Sequence, residues 1–363
     1  MIEDSKSKIQ VLVVDDSAFM RTALSRMLAS DPEICVAGTA ASGIEALQKI
    51  VTLDPDVVTL DVQMPGLDGM ETLRGIMADF PRPVIMVSSV TVKDAETTFS
   101  ALGAGAFDYV PKQLSSTSLN IVHIREDLIS KIKAAAESRR RSKEPVVLPR
   151  KPPRAVALSV RESPTVVPAI VALGISTGGP KALQEILPTL PTDFSVPIVV
   201  VQHMPPGFTA PFAHRLDTLC RASVCEASHG EIVRPGVIYI APGGRQLTVD
   251  RSPSSRITIC LAEKQENQLH VPSVDITMQS VASAFRSQAM GVIMTGMGSD
   301  GAQGMSAIHR AGGFTVGQDE ASCAVYGMPR VCAEMGVLDR VVPLSQITHE
   351  ILQATRYRKT IVS

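Results

Sequence analysis

Five polar residues sit directly behind short apolar runs in the first third of the chain. Asp15 and Asp16 follow IQVLVV (9–14), Asp61 follows VVTL (57–60), Ser88 follows PVIMV (83–87), and Lys112 comes after FDYV (107–110) and Pro111. If these runs are parallel strands, their carboxyl ends bring three carboxylates, a hydroxyl and an ammonium to one rim, where doubly wound sheets bind ligands. Clustered carboxylates repel one another unless a cation intervenes, and magnesium is the natural hard, oxygen-seeking occupant. With that ion and Lys112 cancelling charge, a phosphoryl group can be held in line with one carboxylate. Asp61, the central acid, is then the nucleophile, and Asp15 and Asp16 hold the metal. The competing reading is that strand-end acids are solvated or cap the next helix, which Asp16 beside Ser17 also suits.

A second set lies further along. GISTG (174–178) fits the GxSxG pattern, in which a sharp strand-to-helix turn exposes a serine. Ser176, just before the helix start GPKALQEIL, equally suits a cap. His203 ends the run PIVVVQ (197–202) on the same expected rim, within reach of Ser176 as a general base. Asp300, in the glycine-rich TGMGSDG (295–301), would fix the imidazole tautomer and stabilise the imidazolium. The chain order Ser–His–Asp differs from the Ser–Asp–His of α/β-hydrolases, so the GxSxG match does not bring that fold with it. The same turn also reads as a dinucleotide fingerprint, because Gly296, Gly298 and Gly301 satisfy GxGxxG and Asp319 and Glu320 end the next strand. Against that reading, Asp300 would face a pyrophosphate at a helix N-terminus, and too little chain follows Glu320 for the rest of such a sheet.

The elements that must hold these groups are written in the hydrophobic pattern. Short apolar runs, including ICVAG (34–38), alternate with amphipathic helical segments such as Ala18–Ala29 and 43–51. That alternation gives a small, flavodoxin-like, doubly wound parallel sheet. The later runs AIVALG (169–174), VIYIA (237–241), GVIMT (291–295) and FTVG (314–317) give a second α/β domain, with QLTV (246–249) and RITIC (256–260) as a hairpin around Pro253. Between them, residues 131–154 carry nine Lys or Arg against Glu137 and Glu144, and six prolines fall between 145 and 168. This composition predicts a flexible, solvated linker. The expected domains are therefore 1–130, a basic linker over 131–167, and 168–363.

A length of 363 residues suits two or three folding units, and 45% hydrophobic residues suffice for real cores. The 35 basic and 36 acidic residues leave a net charge of -1, which excludes a global basic field for nucleic acid or an anionic membrane. Arg139–Arg141 lack aromatic interleaving and read as solvated charge. No apolar run is long enough for a membrane helix, and MIEDSKSKIQ does not read as an export signal. Six scattered cysteines without a CxxC pair fit reduced thiols and a cytoplasmic location. The histidines other than His203 (123, 214, 229, 270, 309 and 349) lack metal-ligand spacing and read as ordinary surface or core residues.

Two resemblances sharpen these readings. VDDSAFMR (14–21), LDVQMPGLDGM (60–70), VSS (87–89) and GAFDYVPK (105–112) resemble the receiver domain of two-component response regulators. That resemblance implies phosphorylation of Asp61 by a histidine kinase, magnesium on Asp15, Asp16 and Asp61, Ser88 as switch hydroxyl and Lys112 as phosphate partner. STGGPKAL, HMPPGFTAPFAHRLD (203–217), IYIAPGG (238–244), PSVD (272–275), TGMGSDGAQGM and GQDEASCAVYGMP (317–329) resemble the protein-glutamate methylesterases of bacterial chemotaxis. This second resemblance implies Ser176 as nucleophile, His203 as base and acid, and Asp300 as orienting carboxylate, without a cofactor. Thr177 matches a second hydroxyl of the motif, and Met297 lies where a backbone oxyanion donor is expected.

The implied function is phosphorylation-activated hydrolysis of glutamate methyl esters on chemoreceptors, releasing methanol, with deamidation of receptor glutamines by the same acyl-enzyme route. The implied partners are methyl-accepting chemoreceptors and a histidine kinase, with neither nucleic acid nor direct membrane insertion. Three positions depart from the family pattern: Val271 where Arg is usual, Gln246 where His is usual, and Gln63 for the more usual Glu. The first two are expected to alter substrate-rim contacts. Two alternatives remain open at this point: a second domain that only binds a partner, and a DNA-binding output, for which a basic recognition helix is missing.

Overall fold

A computed structural model describes residues 8–89, 91–112, 118–143, 163–252, 256–264 and 268–357. The chain divides into two compact units, Met1–Arg150 and Lys151–Ser363.

The first unit alternates strand and helix: β1 (Ile9–Val14), α1 (Ala18–Ala29), β2 (Ile34–Ala40), α2 (Gly43–Leu53), β3 (Val57–Asp61), α3 (Gly69–Asp79), β4 (Val84–Ser88), α4 (Val92–Gly103), β5 (Asp108–Pro111) and α5 (Ser118–Lys143). The strands form one parallel sheet in the order β2-β1-β3-β4-β5. Covered on both faces by helices, the central strands read as unbroken apolar runs rather than alternating ones; Val11, Leu12, Val13 and Val14 are fully buried. Ser17, Ser42 and Asp68 accept the N–H three residues on and so start α1, α2 and α3 at fixed points. Strand order reverses between β1 and β3, and the acids Asp15, Asp16 and Asp61 sit at their carboxyl ends.

The expected linker over 131–167 is wrong at its start, because α5 continues to Lys143. Leu128, Ile132, Ala135 and Ala136 form its buried stripe in the core beside α1. Of its basic residues, Lys131, Lys133 and Arg139 are paired, and Arg140 and Arg141 are exposed. Lys131 Nζ lies 2.9 Å from Asp127 and donates to the Tyr109 carbonyl at 2.7 Å. Arg139 bonds the Pro55 carbonyl and pairs with Asp54 at 3.0 Å. A charge-rich composition therefore hid an amphipathic helix with spacing i, i+4, i+7, i+8. Residues 144–162 lie outside the described residues. We expect Ile132→Ala to destabilise the first unit by about 2–4 kcal/mol in urea unfolding. A solvated linker position would shift it by less than about 0.5 kcal/mol.

The second unit runs β6 (Ile170–Ile175), α6 (Gly179–Ile186), β7 (Ile198–Gln202), α7 (Thr209–Leu219), β8 (Ser223–Glu226), β9 (Val237–Ile240), β10 (Arg245–Arg251), β11 (Ile257–Glu263), α8 (Val274–Phe285), β12 (Ala289–Ile293), α9 (Ala302–Arg310), β13 (Phe314–Gln318), α10 (Met328–Glu334), β14 (Arg340–Val342) and α11 (Leu344–Ala354). Seven strands make a parallel sheet in the order β14-β13-β12-β6-β7-β9-β8, and β10 and β11 form the expected antiparallel hairpin. Leu247, Val249 and Ile259 of the hairpin share a core with Met278, Val281 and Phe285 of α8. The chain leaves β6 toward β7 on one side and returns to β12 on the other, so the strand order reverses at β6. Among the described residues no helix is long and apolar enough to cross a membrane.

Candidate active sites

In the first unit, the sheet delivers the acid cluster as the strand ends require. Asp15 and Asp61 are buried and Asp16 is exposed. One carboxylate oxygen from each lies within 4.8 Å of the others. Lys112 Nζ reaches Asp61 at 2.7 Å and Asp15 at 2.9 Å. Burial, reinforced by Asp15 and opposed by Lys112, pushes the Asp61 carboxyl up to about 6. Burial alone would lower Lys112, but its bonds to Asp61 and Asp15 overcome that and raise it. Three hard oxygen donors converging on one point, two of them shielded from water, fit a magnesium ion.

Ser88 is also buried, with its hydroxyl accepting from Thr98 on α4 at 2.8 Å and donating to the Ser89 carbonyl at 3.2 Å. Gln63 donates its amide to the buried carboxylate of Asp94. Ser89 and Thr91 bond the other Asp94 oxygen. A glutamate at position 63 would place a like charge against Asp94, so the departure from the family pattern has a local electrostatic reason.

In the second unit, Ser176, His203 and Asp300 extend from β6, β7 and β12 at the switch in strand order. Ser176 N–H donates to the Thr295 carbonyl, and His203 N–H donates to the Ile175 carbonyl, which fixes the two loops side by side. The turn after Ser176 needs glycine at Gly178, where φ is 76° and an added Cβ would lie 2.5 Å from Ala324. His203 Nδ1 lies 3.2 Å from Ser176 Oγ, and Nε2 lies 2.7 Å from Asp300 Oδ2. This pattern assigns the proton to Nε2, leaving Nδ1 free to accept from the serine.

Asp300 is held by more than the imidazole. Val274 N–H donates to Oδ2 at 2.8 Å, while Asp275 N–H and Ser273 Oγ donate to Oδ1, each at 2.9 Å. The N-terminus of α8 thus grips the carboxylate. Burial pushes Asp300 up, but the His203 bond and these backbone donors win and hold it at about 2. In return, Asp275 Oδ1 accepts from Gly301 N at 2.9 Å and Gly304 N at 2.8 Å, capping α9. With those donors taken by a carboxylate and Asp300 turned to His203, the GxGxxG turn has no place for a pyrophosphate.

Several participants escaped the sequence reading. Gln246 is buried and clamps Ser273, accepting its N–H at 2.8 Å and donating to its carbonyl at 3.3 Å. It braces the Asp300 cradle rather than the substrate rim, which corrects the expectation for that departure. His270, read as an ordinary histidine, stacks on His203 with ring centroids 4.3 Å apart. Neither has a local spacing signal, since Gln246 reaches the site from β10 and His270 from the loop before α8, both distant in sequence from the triad. Thr177 is buried beside Ser176, its carbonyl accepting from Thr295 Oγ1. Met297 follows Gly296, where an added Cβ would lie 2.8 Å from Ser176 Cβ. His309, 3.7 Å from Asp339, and His229, which accepts from Leu261 N–H, have the structural roles expected of them.

Comparisons with known proteins agree with this division. Residues 11–122 match the response regulator receiver domain, and residues 171–351 match the CheB methylesterase family. The chain is 45% identical to protein-glutamate methylesterase/protein-glutamine glutaminase 1 of Oleidesulfovibrio alaskensis, covering 95% of this chain and 99% of that protein. It is 44% identical to the protein of the same activity from Pyrococcus horikoshii, over 96% and 94%. The crystal structure of the Thermotoga maritima CheB methylesterase catalytic domain aligns with 52% of this chain and 98% of that domain, at 41% identity and a TM-score of 0.50.

Proposed function

We propose, for a chain that belongs to the protein-glutamate methylesterase/protein-glutamine glutaminase family, that Ser176, His203 and Asp300 hydrolyse glutamate methyl esters on chemoreceptors under control of phosphorylation at Asp61. The observation that carries the chemistry is the unbroken line from Ser176 Oγ through His203 to Asp300. Ser176 Oγ attacks the ester carbonyl while its proton passes to His203 Nδ1, and the imidazolium is stabilised by Asp300. The tetrahedral adduct collapses as its methoxy group takes that proton and leaves as methanol. Water then attacks the acyl-serine, giving its proton to His203, and glutamate is released as Ser176 recovers a proton. A glutamine side chain follows the same course with ammonia as the leaving group, ending on the same product. Thr177 and the backbone at Met297 flank the reacting carbonyl in this reading.

The receiver acts as the switch. Asp61 accepts the phosphoryl group from a histidine kinase, and Lys112 pairs with the group once attached. Asp15, Asp16 and Asp61 would hold magnesium, which when bound neutralises the charge that phosphorylation brings together. Ser88 exchanges its Thr98 contact for the phosphoryl group and carries the change to α4. A cytoplasmic location fits the six free thiols.

The test is methanol release from methylated receptor membranes. A small phosphodonor with magnesium is expected to raise the initial rate, and a chelator to remove that rise while leaving the basal rate intact. No methanol in either condition would overturn the esterase reading. Loss of basal activity on chelation would overturn the metal-free triad.

A further inference from the structure

The mechanism above uses both ring edges of His203 and leaves its faces unexplained. One face is covered by His270, whose plane lies 9° from parallel to it. His270 sits in the loop that runs into α8, whose N-terminus supplies the Asp300 donors. That loop is fastened at Val271, whose carbonyl accepts from Gly244 N–H at 3.1 Å, and at Ser273 through Gln246.

We propose that His270 is a positioning residue that fixes the ring plane of His203 and must be neutral while His203 carries its transient charge; this rests on the triad reading above. Rotation about the last side-chain bond of a histidine is soft, so two edge hydrogen bonds alone allow the ring to twist. A parallel ring pressed on its face opposes that twist. It also answers the charge that develops, because the π-face of a neutral ring attracts an adjacent cation. A protonated His270 would instead set two cations 4.3 Å apart. Among the described residues, the ionisable groups that act on His270 are His203 and Asp300, in opposite senses. Burial and His203 together lower its pKa below the ordinary histidine value against the pull of Asp300, which keeps it neutral near pH 7.

The experiment is steady-state methanol release by the full chain over a pH range, for the parent, His270→Ala, His270→Phe and Ser176→Ala. His270→Ala is expected to lower kcat about tenfold with little change in KM, the upper end of what one stacked ring supplies. His270→Phe keeps a flat face and should recover most of that loss at neutral pH. Because His270 can itself take a proton and set a cation against His203, the acid limb of the parent should be steeper than that of His270→Phe, which has no second imidazole at this place. A role confined to fold stability would leave the steepness unchanged. His270 variants with parental kcat and acid limb, beside an inactive Ser176→Ala, would overturn this proposal alone. An active Ser176→Ala would remove the triad reading and this proposal with it.

Discussion

Asp300→Asn is expected to lower kcat about ten-thousandfold with KM nearly unchanged, even though the side chain keeps its shape. The carboxylate accepts four hydrogen bonds, from His203 Nε2, Ser273 Oγ, Val274 N–H and Asp275 N–H. An asparagine has a single acceptor oxygen and a donating amide group. The Oδ1 site takes two donors, Asp275 N–H and Ser273 Oγ, so the oxygen stays there and the amide takes the Oδ2 site, facing His203 and the Val274 N–H. His203 then accepts at Nε2 and carries its proton on Nδ1, the edge that must take the proton from Ser176. The base is present in the wrong tautomer. Ser176→Ala should be at least as damaging, and combining the two should add little, since residues acting as a unit are not additive. Circular dichroism and phosphorylation of the first unit serve as controls. An Asp300→Asn enzyme within tenfold of the parent would show that Asp300 does not set the tautomer.

Asp61→Asn is expected to take up no phosphoryl group from a small phosphodonor, whereas the parent is labelled only in the presence of magnesium. The same substitution should change stability in a direction opposite to most buried mutations. The Asp61 carboxyl rises from 3.8 to about 6 on folding. The folded state therefore binds the proton more tightly, and this contribution is complete below 3.8 and lost as the pH rises through about 6. Above that range, and without a cation, ionised Asp61 works against folding. Its neutral isostere should be more stable than the parent by about 2 kcal/mol in chelator at pH 7.5. Magnesium should narrow the gap, since the parent offers it three carboxylates and the variant two. Urea unfolding with and without the ion reads both effects. A chelated parent more stable than Asp61→Asn, or stoichiometric labelling of the variant, would show that the acid pocket is misassigned.

The strands that position the sites are legible in the sequence, and those that carry few apolar residues are not. The central runs of both sheets are buried on two faces, so their hydrophobicity is continuous and unmistakable. The missed strands, SVCE of β8 and RVV of β14, lie at the sheet edges, where one flank is unpaired and polar side chains are tolerated. The acids of the first unit, Ser88, Lys112, Ser176 and His203 were legible because they follow such runs closely, and Asp300 because it lies in the glycine-rich turn after one. The helical stretch 131–143 is hidden in the sequence because its lysines and arginines mask the spacing of Leu128, Ile132, Ala135 and Ala136. Asp127 is a local i, i+4 partner of Lys131, but Asp54 could not be foreseen as the partner of Arg139 without the topology. His270, Ser273 and Gln246 are of the same kind, since only the folded chain brings β10 and the loop before α8 together at Asp300.

The place of β12 has a consequence for how the protein is made. This strand pairs with β6 on one side and β13 on the other, yet it is translated after β7, β8, β9 and the hairpin. A nascent chain that has emerged only as far as Gln288 already holds Ser176 and His203, but β6 has an open flank and the carboxylate is still to come. The five strands of the first unit, by contrast, are all complete by Pro111. Domains generally fold in the order in which they leave the ribosome. On that order the triad is complete only once Asp300 has emerged, behind a receiver whose strands have long been available to fold.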